Sequence, residues 1–225
     1  ADRTGWSRKE AGRAIRRGRV TVHGEPVADP RAKVDPQAPL ELDGESLAAP
    51  PGLAVYHKPR GVQCTVGDPM GRRNLESEVA DLLTWGLHPV GRLDADTSGL
   101  LLMSRHGAIT QHLLHPKRAI PRTYRARVEP TPVPELIGVL HTGVATAAGV
   151  FAAEDVALDG DVVTLTVREG KHRMVRRMLA NAGHPVVDLE RRSFGPFTLG
   201  ELPSGTWREL QDDEREWLGG RGLPI

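Results

Sequence analysis

A nine-residue polar block bounded by glycines, residues 91–99, leads directly into four apolar residues, 100–103. The apolar run predicts a strand buried on both faces, because no polar residue interrupts it. Core packing requires no Arg-Leu-Asp-x-x-Thr-Ser-Gly sequence before such a strand, so the block is predicted to have a chemical role. Its acid Asp94 is expected in a loop at the edge of a rigid core, where a fold can present one reactive carboxylate.

The charge and cysteine content of the chain exclude several kinds of protein. The formal net charge is +1, which excludes a uniformly basic surface, but residues 1–24 carry seven Lys and Arg against two acids, and residues 168–192 carry seven against three. Two local basic patches favour a polyanion held at chosen places, with ordinary solvated surface as the alternative. The single cysteine, Cys64, excludes an intrachain disulfide and a cysteine-based metal site.

The 225 residues have room for one large domain, or for a medium domain and a small one. The sequence contains neither an apolar run of membrane-spanning length nor a visible signal peptide, so a cytoplasmic protein is predicted. The chain begins at Ala1 without a methionine, and we expect that some natural sequence precedes it.

Residues 1–48 predict a small basic domain. Ser7 and Glu10 fit a helix capping box, Gly18 is placed to end the helix, and residues 20–27 alternate around a turn signal, which predicts a hairpin. A short basic helix followed by a hairpin resembles the S-four RNA-binding domain, first named for a small-subunit ribosomal protein. An ordinary helix-hairpin cap is the alternative. The resemblance implies an RNA-binding side formed by six basic residues: Arg8, Lys9, Arg13, Arg16, Arg17 and Arg19.

Residues 49–52 are predicted to be a linker, since two prolines and a glycine prevent a helix and interrupt a strand. A second domain is predicted over residues 53–225. Strands are expected at residues 53–57, 123–128 and 162–167, and helices near residues 109–114 and 171–182. Strands and helices in irregular order, with hairpin-like spacing, favour an α+β fold with a mixed, mainly antiparallel sheet over a doubly wound parallel sheet.

Three further segments, together with the polar block, form a set of motifs in a fixed order along the chain. Residues 58–61 read Lys-Pro-Arg-Gly, residues 122–126 read Arg-Thr-Tyr-Arg-Ala, and residues 169–178 read Glu-Gly-Lys-His-Arg-Met-Val-Arg-Arg-Met. Together with residues 91–99 they resemble the motifs of the pseudouridine synthases. Gly91 and the N-terminal segment resemble one branch, the RsuA/RluB-like bacterial rRNA enzymes, over nearly the whole chain.

The resemblance implies isomerisation of uridine to pseudouridine in ribosomal RNA. This reaction breaks the bond from the anomeric carbon to the base, turns the uracil and rejoins it through carbon 5, so it needs no cofactor and no metal. Asp94 is implied as the nucleophile, Arg176 as its ion-pair partner, and Tyr124 as the ring that stacks on the extruded base and relays a proton. Attack at the anomeric carbon and attack at carbon 6 both remain open. Further RNA contacts are expected from Lys58, Arg92, Lys171, Arg173 and Arg177.

Several alternatives stay open. Asp96 lies two residues from Asp94, and two neighbouring acids resemble the acid/base pair of a glycosidase. Nothing in the sequence determines the separation of the two carboxylates, and the motif singles out Asp94. His106, His112 and His115 lack the spacing of known metal sites. Residues 195–197 and 205–210 resemble the large-subunit enzymes more than the small-subunit ones.

The expected partner is rRNA or a pre-ribosomal particle, bound by a monomer. The rival functions are a non-catalytic rRNA-binding assembly factor and a hydrolase of glycosidic bonds.

Overall fold

The structure, a computed structural model, describes residues 3–4, 6–35 and 38–224. Near the N-terminus, helix α1 (Arg8–Arg16) begins at the predicted capping box, in which Ser7 and Glu10 exchange hydrogen bonds. Four short antiparallel strands follow in the spatial order β2-β1-β3-β4. Their bounds are β1 Val20–Val22, β2 Glu25–Pro26, β3 Leu40–Leu42 and β4 Glu45–Leu47.

The predicted hairpin is confirmed between β1 and β2. His23 and Gly24 both have positive φ at the turn, the conformation that a two-residue hairpin requires. No helix or strand is assigned between β4 and β5, where the linker is expected.

The remaining eleven strands and six α-helices follow from residue 53. The strands are β5 Leu53–Lys58, β6 His88–Pro89, β7 Thr97–Ser104, β8 Arg122–Val128, β9 Val144–Thr146, β10 Gly149–Phe151, β11 Val156–Asp159, β12 Val162–Val167, β13 Val186–Phe194, β14 Phe197–Thr198 and β15 Trp207–Glu209. The helices are α2 Leu75–Glu78, α3 Ala80–Thr84, α4 Gly107–Leu114, α5 Glu135–Thr142, α6 Met174–Asn181 and α7 Asp212–Gly219, with a 3₁₀ turn at Pro116–Arg118.

A nine-stranded mixed sheet organises this part of the chain, so the predicted α+β fold is confirmed. Its main path runs β11-β12-β8-β13-β7-β5-β15, with β14 on β13 and β6 on β7. Within the described ranges, the pairings of this sheet are antiparallel except for β7 with β13. None of the helices in these ranges is long and apolar enough to cross a membrane.

Strand β7 contains the apolar run of residues 100–103, and all four side chains are fully buried. The strand begins earlier than the apolar run, at Thr97, so the end of the polar block is already part of the sheet. Helices and loops cover both faces of this strand, with one apolar cluster on each side. The polar loop before Thr97 is therefore anchored to the most rigid part of the fold.

The polar block ends in a glycine, Gly99, because the backbone of a neighbouring strand passes very close to this position. It pairs with Arg191 in the parallel ladder of β7 and β13, and its φ is +107°. A Cβ atom at this position would lie 2.4 Å from the backbone oxygen of Arg191 and 2.5 Å from its backbone nitrogen. Any larger residue would force the two strands apart.

Helix α6 begins three residues later than the sequence predicts. Arg173, just before its first residue Met174, has a left-handed backbone conformation with φ 52° and ψ 28°. A non-glycine residue adopts this conformation at a cost of roughly 1–2 kcal/mol. The turn redirects the chain, and the Arg173 side chain comes to lie against the polar block.

Candidate active site

The polar block forms a tight turn whose backbone is held from two sides. The Thr97 amide donates to the Asp94 carbonyl at 3.0 Å, and the Gly61 amide donates to the Ala95 carbonyl at 2.6 Å. Beneath the turn, the Leu93 amide donates to the Cys64 sulfur at 3.3 Å. The Asp94 side chain is 28% exposed, as expected for an acid presented at the edge of the core.

Asp94 lines a cavity of about 530 Å³, within the range of sizes that bind small organic groups. One wall is the polar block, and another is the loop that leads into α6. The floor is the sheet itself. Side chains from β8 and β13 line it: Arg122, Tyr124, Leu189, Arg191 and Phe194.

Tyr124 lies in β8, where alternate side chains are buried as the sequence predicts. It pairs directly with Arg191 of β13. Because directly paired residues project to the same face of a sheet, the two side chains lie side by side at the bottom of the cavity. The structure therefore brings Tyr124 and Asp94 to one cavity from segments 30 residues apart in the sequence.

The basic side chains nearest to Asp94 do not contact it directly. Nε2 of His172 lies 4.0 Å from one carboxylate oxygen, and a guanidinium nitrogen of Arg173 lies 3.9 Å from the other. Both distances exceed the length of a hydrogen bond. The carboxylate thus faces positive charge without being held by it.

The ion pair expected between Arg176 and Asp94 is not the one that the structure contains. Nε of Arg176 lies 3.4 Å from the Asp96 carboxylate, and its NH2 group donates to the Asp96 carbonyl at 2.7 Å. Arg173 also binds Asp96, through two hydrogen bonds of 3.0 and 2.8 Å. The left-handed turn at Arg173 places the two guanidiniums around one carboxylate, and that carboxylate is the second of the block.

Asp96 is thus the residue that sequence reasoning set aside and that the structure places at the centre of a charge cluster. The hydrogen bonds from Arg173 lower the pKa of Asp96, and the charge of Arg176 adds to this effect. Burial lowers the pKa of Arg176, whereas the charges of Asp96 and Asp94 oppose that change. Two arginines three residues apart indicate a shared carboxylate, but the sequence offers two acids and no means of choosing between them.

Lys58 is a correction to the sequence analysis. It was expected to contact RNA, yet its side chain is fully buried, with 0% exposed. Its ammonium donates to the carbonyls of Pro59 and Val62, both at 2.9 Å, and burial lowers its pKa. The residue stabilises the turn after β5 from inside, and no phosphate can reach it in this structure.

Other residues expected to contact RNA surround the cavity. Arg92, Lys171 and Arg173 line it, and the first two are exposed at its mouth. Arg177 lies outside the lining and is 3.4 Å from Nδ1 of His172. In the N-terminal sheet domain the six predicted basic residues are all exposed, although Arg19 forms an ion pair with Asp43.

The sequence analysis also missed two buried arginines of the floor. Arg122 was noted only as a neighbour of Tyr124, and Arg191 was not singled out. The guanidinium carbons lie 4.5 and 5.2 Å from the ring centre of Phe194. Only the tertiary pairing of β8 with β13 brings these groups together, so no local pattern could have identified them.

Comparisons with known proteins agree on one family. The family model described as RNA pseudouridylate synthase matches residues 52–181. The ribosomal large subunit pseudouridine synthase B of Bacillus subtilis is 35% identical over 216 residues, which cover 92% of this chain and 88% of that protein. The ribosomal small subunit pseudouridine synthase A of Escherichia coli is 34% identical over 226 residues, which cover 95% of each.

A solved structure is similar over almost the whole chain. A crystal structure of a pseudouridylate synthase superposes with a TM-score of 0.67 at 27% identity, covering 96% of this chain and 95% of the other. Since so little of either chain lies outside the superposition, the similarity includes both the small N-terminal sheet and the nine-stranded sheet.

Proposed function

The chain belongs to the RNA pseudouridylate synthase family and is an RNA pseudouridine synthase, and from this premise we propose that it isomerises a specific uridine of large-subunit ribosomal RNA with Asp94 as the nucleophile. The relatives named above act on ribosomal RNA of either subunit. The C-terminal segments at residues 195–197 and 205–210 favour the large subunit.

The observation that carries the proposal is the position of the Asp94 carboxylate. It stands on a hydrogen-bonded turn at the wall of a cavity, and its nearest basic side chains, Arg173 and His172, are 3.9 and 4.0 Å away. A carboxylate held in a close ion pair would be a weak nucleophile, whereas this one retains reactive lone pairs in a positive environment. Asp96, which two arginines hold, is suited to structure rather than to attack.

The floor of the cavity suits an extruded pyrimidine. We propose that the base leaves its stack in the RNA and lies against the Tyr124 ring, with the sugar toward Asp94. Asp94 forms a bond to the nucleotide, the bond between the anomeric carbon and the base nitrogen breaks, and the uracil turns. Carbon 5 then bonds to the anomeric carbon and Asp94 departs as the carboxylate. The hydrogen on carbon 5 leaves as a proton through the Tyr124 hydroxyl or water, and N1 takes up a proton from water.

Arg176 has a modified role in this proposal. It holds no direct ion pair with Asp94, but the charge of Asp94 acts on Arg176 and opposes the effect of burial on the Arg176 pKa. We propose that Arg176 keeps Asp94 ionised once RNA has excluded water from the cavity, because the attraction between the charges grows as the local dielectric constant falls.

The remaining basic groups would hold the RNA. Arg92, Lys171, Arg173 and Arg177 lie at or near the mouth of the cavity, and the basic face of α1 supplies a second, remote contact. We propose that residues 1–48 form an RNA-binding domain of the S-four type, whose phosphate contacts position the chain without reading the sequence.

The decisive experiment measures tritium release from transcripts labelled at carbon 5 of uridine. Rejoining the base through carbon 5 must expel that hydrogen, so we expect release from large-subunit rRNA and none with Asp94→Asn. Asparagine has the same shape without the charge, and RNA affinity should stay within about threefold because the phosphate contacts remain. Release by Asp94→Asn at the wild-type rate would refute the assignment of the nucleophile.

The same assay separates the alternatives. Release from small-subunit rRNA alone would show that the substrate is small-subunit rather than large-subunit rRNA. Free uracil in the supernatant would indicate hydrolysis, since an isomerase retains the base. Failure on naked transcripts with activity on partly assembled particles would place the reaction within ribosome assembly.

A further inference from the structure

Two buried guanidiniums at the bottom of the cavity have no counter-ion. Arg122 is 8% exposed and Arg191 is 4% exposed, and their guanidinium carbons lie 4.5 and 5.2 Å from the ring centre of Phe194. Among residues 3–4, 6–35 and 38–224, no carboxylate lies within 4 Å of either group. The fold therefore holds two unpaired positive charges away from water.

Their hydrogen bonds are incomplete as well. Nε of Arg191 donates to the Leu100 carbonyl at 2.8 Å, but its NH2 group is buried without a partner. NH1 of Arg122 has only long contacts, at 3.4 Å to the Ile120 carbonyl and 3.3 Å to the Arg168 carbonyl. Burial, and then the charge of Arg191, lower the pKa of Arg122.

Two buried charges outside the cavity, Glu214 and Lys58, do have partners. Glu214, which is fully buried, accepts two hydrogen bonds from Arg208 at 2.7 and 2.8 Å. The Lys58 ammonium is held by two carbonyls. An unpaired buried ion costs several kcal/mol, so a fold that keeps two of them at one place has a use for the charge there.

The position of the two groups indicates what they bind. Arg191 pairs with Tyr124 across the strands, so a base lying on the Tyr124 ring has one edge toward Arg191 and Arg122. The cations Arg92 and Lys171 of the cavity lining are exposed, whereas the two arginines of the floor are buried. An RNA backbone held by the exposed cations would leave the floor to the base.

We propose that Arg122 and Arg191 bind the carbonyl edge of the extruded uracil and stabilise the negative charge that the base carries during the reaction. This inference rests on the proposed function. When Asp94 attacks the anomeric carbon, the electron pair of the broken bond stays on the base and spreads over N1, O2 and O4. When it attacks carbon 6 instead, the pair of the ring double bond moves toward O4. Either route places negative charge on carbonyl oxygens.

The charge is transient. An electron pair of the base forms the bond from carbon 5 to the anomeric carbon and Asp94 leaves as the carboxylate; loss of the proton from carbon 5 then restores the ring double bond, and N1 takes up a proton from water. Preorganised donors aimed at such an oxygen contribute more to the transition state than to binding, and removing one costs about 10²–10³ in rate.

The test compares single-turnover rates at saturating enzyme for Arg191→Gln and Arg122→Gln. The matched control is Arg192→Gln, which makes the same charge change on the same strand at a residue that pairs with Glu190 rather than lining the cavity. We expect each floor variant to lose at least about 100-fold in rate, with the RNA Kd within about threefold, and the control to keep the wild-type rate.

A second readout distinguishes the base from a phosphate. A group that contacts phosphate lowers the slope of log Kd against log salt by about one when it is removed, and weakens binding. We expect unchanged slopes for both floor variants. A lowered slope with a raised Kd would overturn the inference in favour of a phosphate site, and a rate within threefold of wild type would overturn it altogether.

Folding and function are controlled separately. Replacing Arg191 removes its hydrogen bond to the Leu100 carbonyl and can destabilise the fold, so thermal melting is measured for each variant. If Arg191→Gln does not fold, the rate of Arg122→Gln decides the question. Arg191→Lys retains charge without the planar fork and is expected to recover about a tenth of the wild-type rate. Absence of tritium release by the wild-type protein would refute the proposed function, whereas wild-type release with unaffected variants would refute only this inference.

Discussion

At the scale of single residues, two carboxylates in one turn have different surroundings. Asp94 has only distant cations, whereas Asp96 accepts two hydrogen bonds from Arg173 and lies beside Arg176. The two side chains are chemically identical and lie two positions apart in the sequence. Their partners come from the loop before α6, so the division of work between them depends on a contact across the fold.

The first prediction at this scale concerns Asp96→Asn. We expect about tenfold slower isomerisation at saturating RNA, because Arg173 and Arg176 lose the charge that positions them. The freed guanidiniums can also move toward Asp94 and form with it the close ion pair that the wild-type protein lacks, which adds to the loss of rate. A rate equal to that of wild type would show that Asp96 does not position the two arginines for the reaction.

The same variant has a defined effect on stability. Since the folded-state pKa of Asp96 is lower than the usual 3.8, the unfolded chain binds more protons between the two values, and stability rises with pH across that window. The advantage of wild type over Asp96→Asn should be complete above about pH 5 and disappear as the pH falls below 3.8. Urea unfolding from pH 7 to pH 3 measures it, with Asp159→Asn, at an exposed acid of β11, as the control.

At the scale of elements, the parallel pairing of β7 with β13 holds the site together. Strand β7 follows the Asp94 turn, and β13 carries Arg191 into the floor. Gly99 allows the two backbones to approach, and α6 with its left-handed start supplies the arginines that bind Asp96. The groups that line the cavity thus come from several elements: Asp94 precedes β7, Arg122 and Tyr124 lie on β8, and Arg191 lies on β13.

The prediction at this scale is that Gly99→Ala destabilises the protein by at least about 3 kcal/mol, because the new methyl group would overlap the Arg191 backbone. The control is Gly160→Ala, at a glycine with φ +57° and open space around its Cβ position. There we expect a cost of only about 1–2 kcal/mol from the left-handed conformation. Equal losses for both, measured by chemical denaturation, would show that the close approach contributes nothing.

At the scale of the whole molecule, the described residues form three hydrogen-bonded sheets, of which the smallest pairs β9 with β10. The four-stranded N-terminal sheet and the nine-stranded sheet share no strand. The first is associated with the exposed basic residues of α1, and the second holds the cavity. We propose that affinity for long RNA is shared between them, whereas the chemistry depends on the second alone.

The prediction at this scale is that deleting residues 1–48 weakens rRNA binding and flattens its salt dependence, since each lost phosphate contact lowers the slope by roughly 0.7–0.9. The remaining chain should unfold cooperatively. A full-length variant with Arg8, Lys9 and Arg13 changed to Gln should reproduce part of the effect, whereas the exposed pair Arg125 and Arg127 changed to Gln should not. An unchanged salt slope after the deletion would show that the N-terminal basic face takes no part in binding.

Much of the local structure follows from the sequence because its causes are local. The capping box of Ser7 and Glu10, the hairpin at His23-Gly24 and the buried strand of residues 100–103 are all found where predicted. Each depends on neighbouring residues, through a cap, a turn conformation or a run of apolar side chains. The family motifs likewise identified the cavity residues Asp94 and Tyr124 before any contact was known.

By itself, the sequence determined the family, the α+β class and the acid that stands at the edge of the core. Only the tertiary structure decided that Arg176 binds Asp96 rather than Asp94, that Lys58 is buried, and that Arg122 and Arg191 meet at the floor of the cavity. The reason is that a residue's type and its neighbours in the sequence determine its preference for helix, strand or turn. Ion pairing and burial depend instead on groups brought together from distant segments. At this site those segments meet through the parallel pairing of β7 with β13 and the left-handed turn at Arg173.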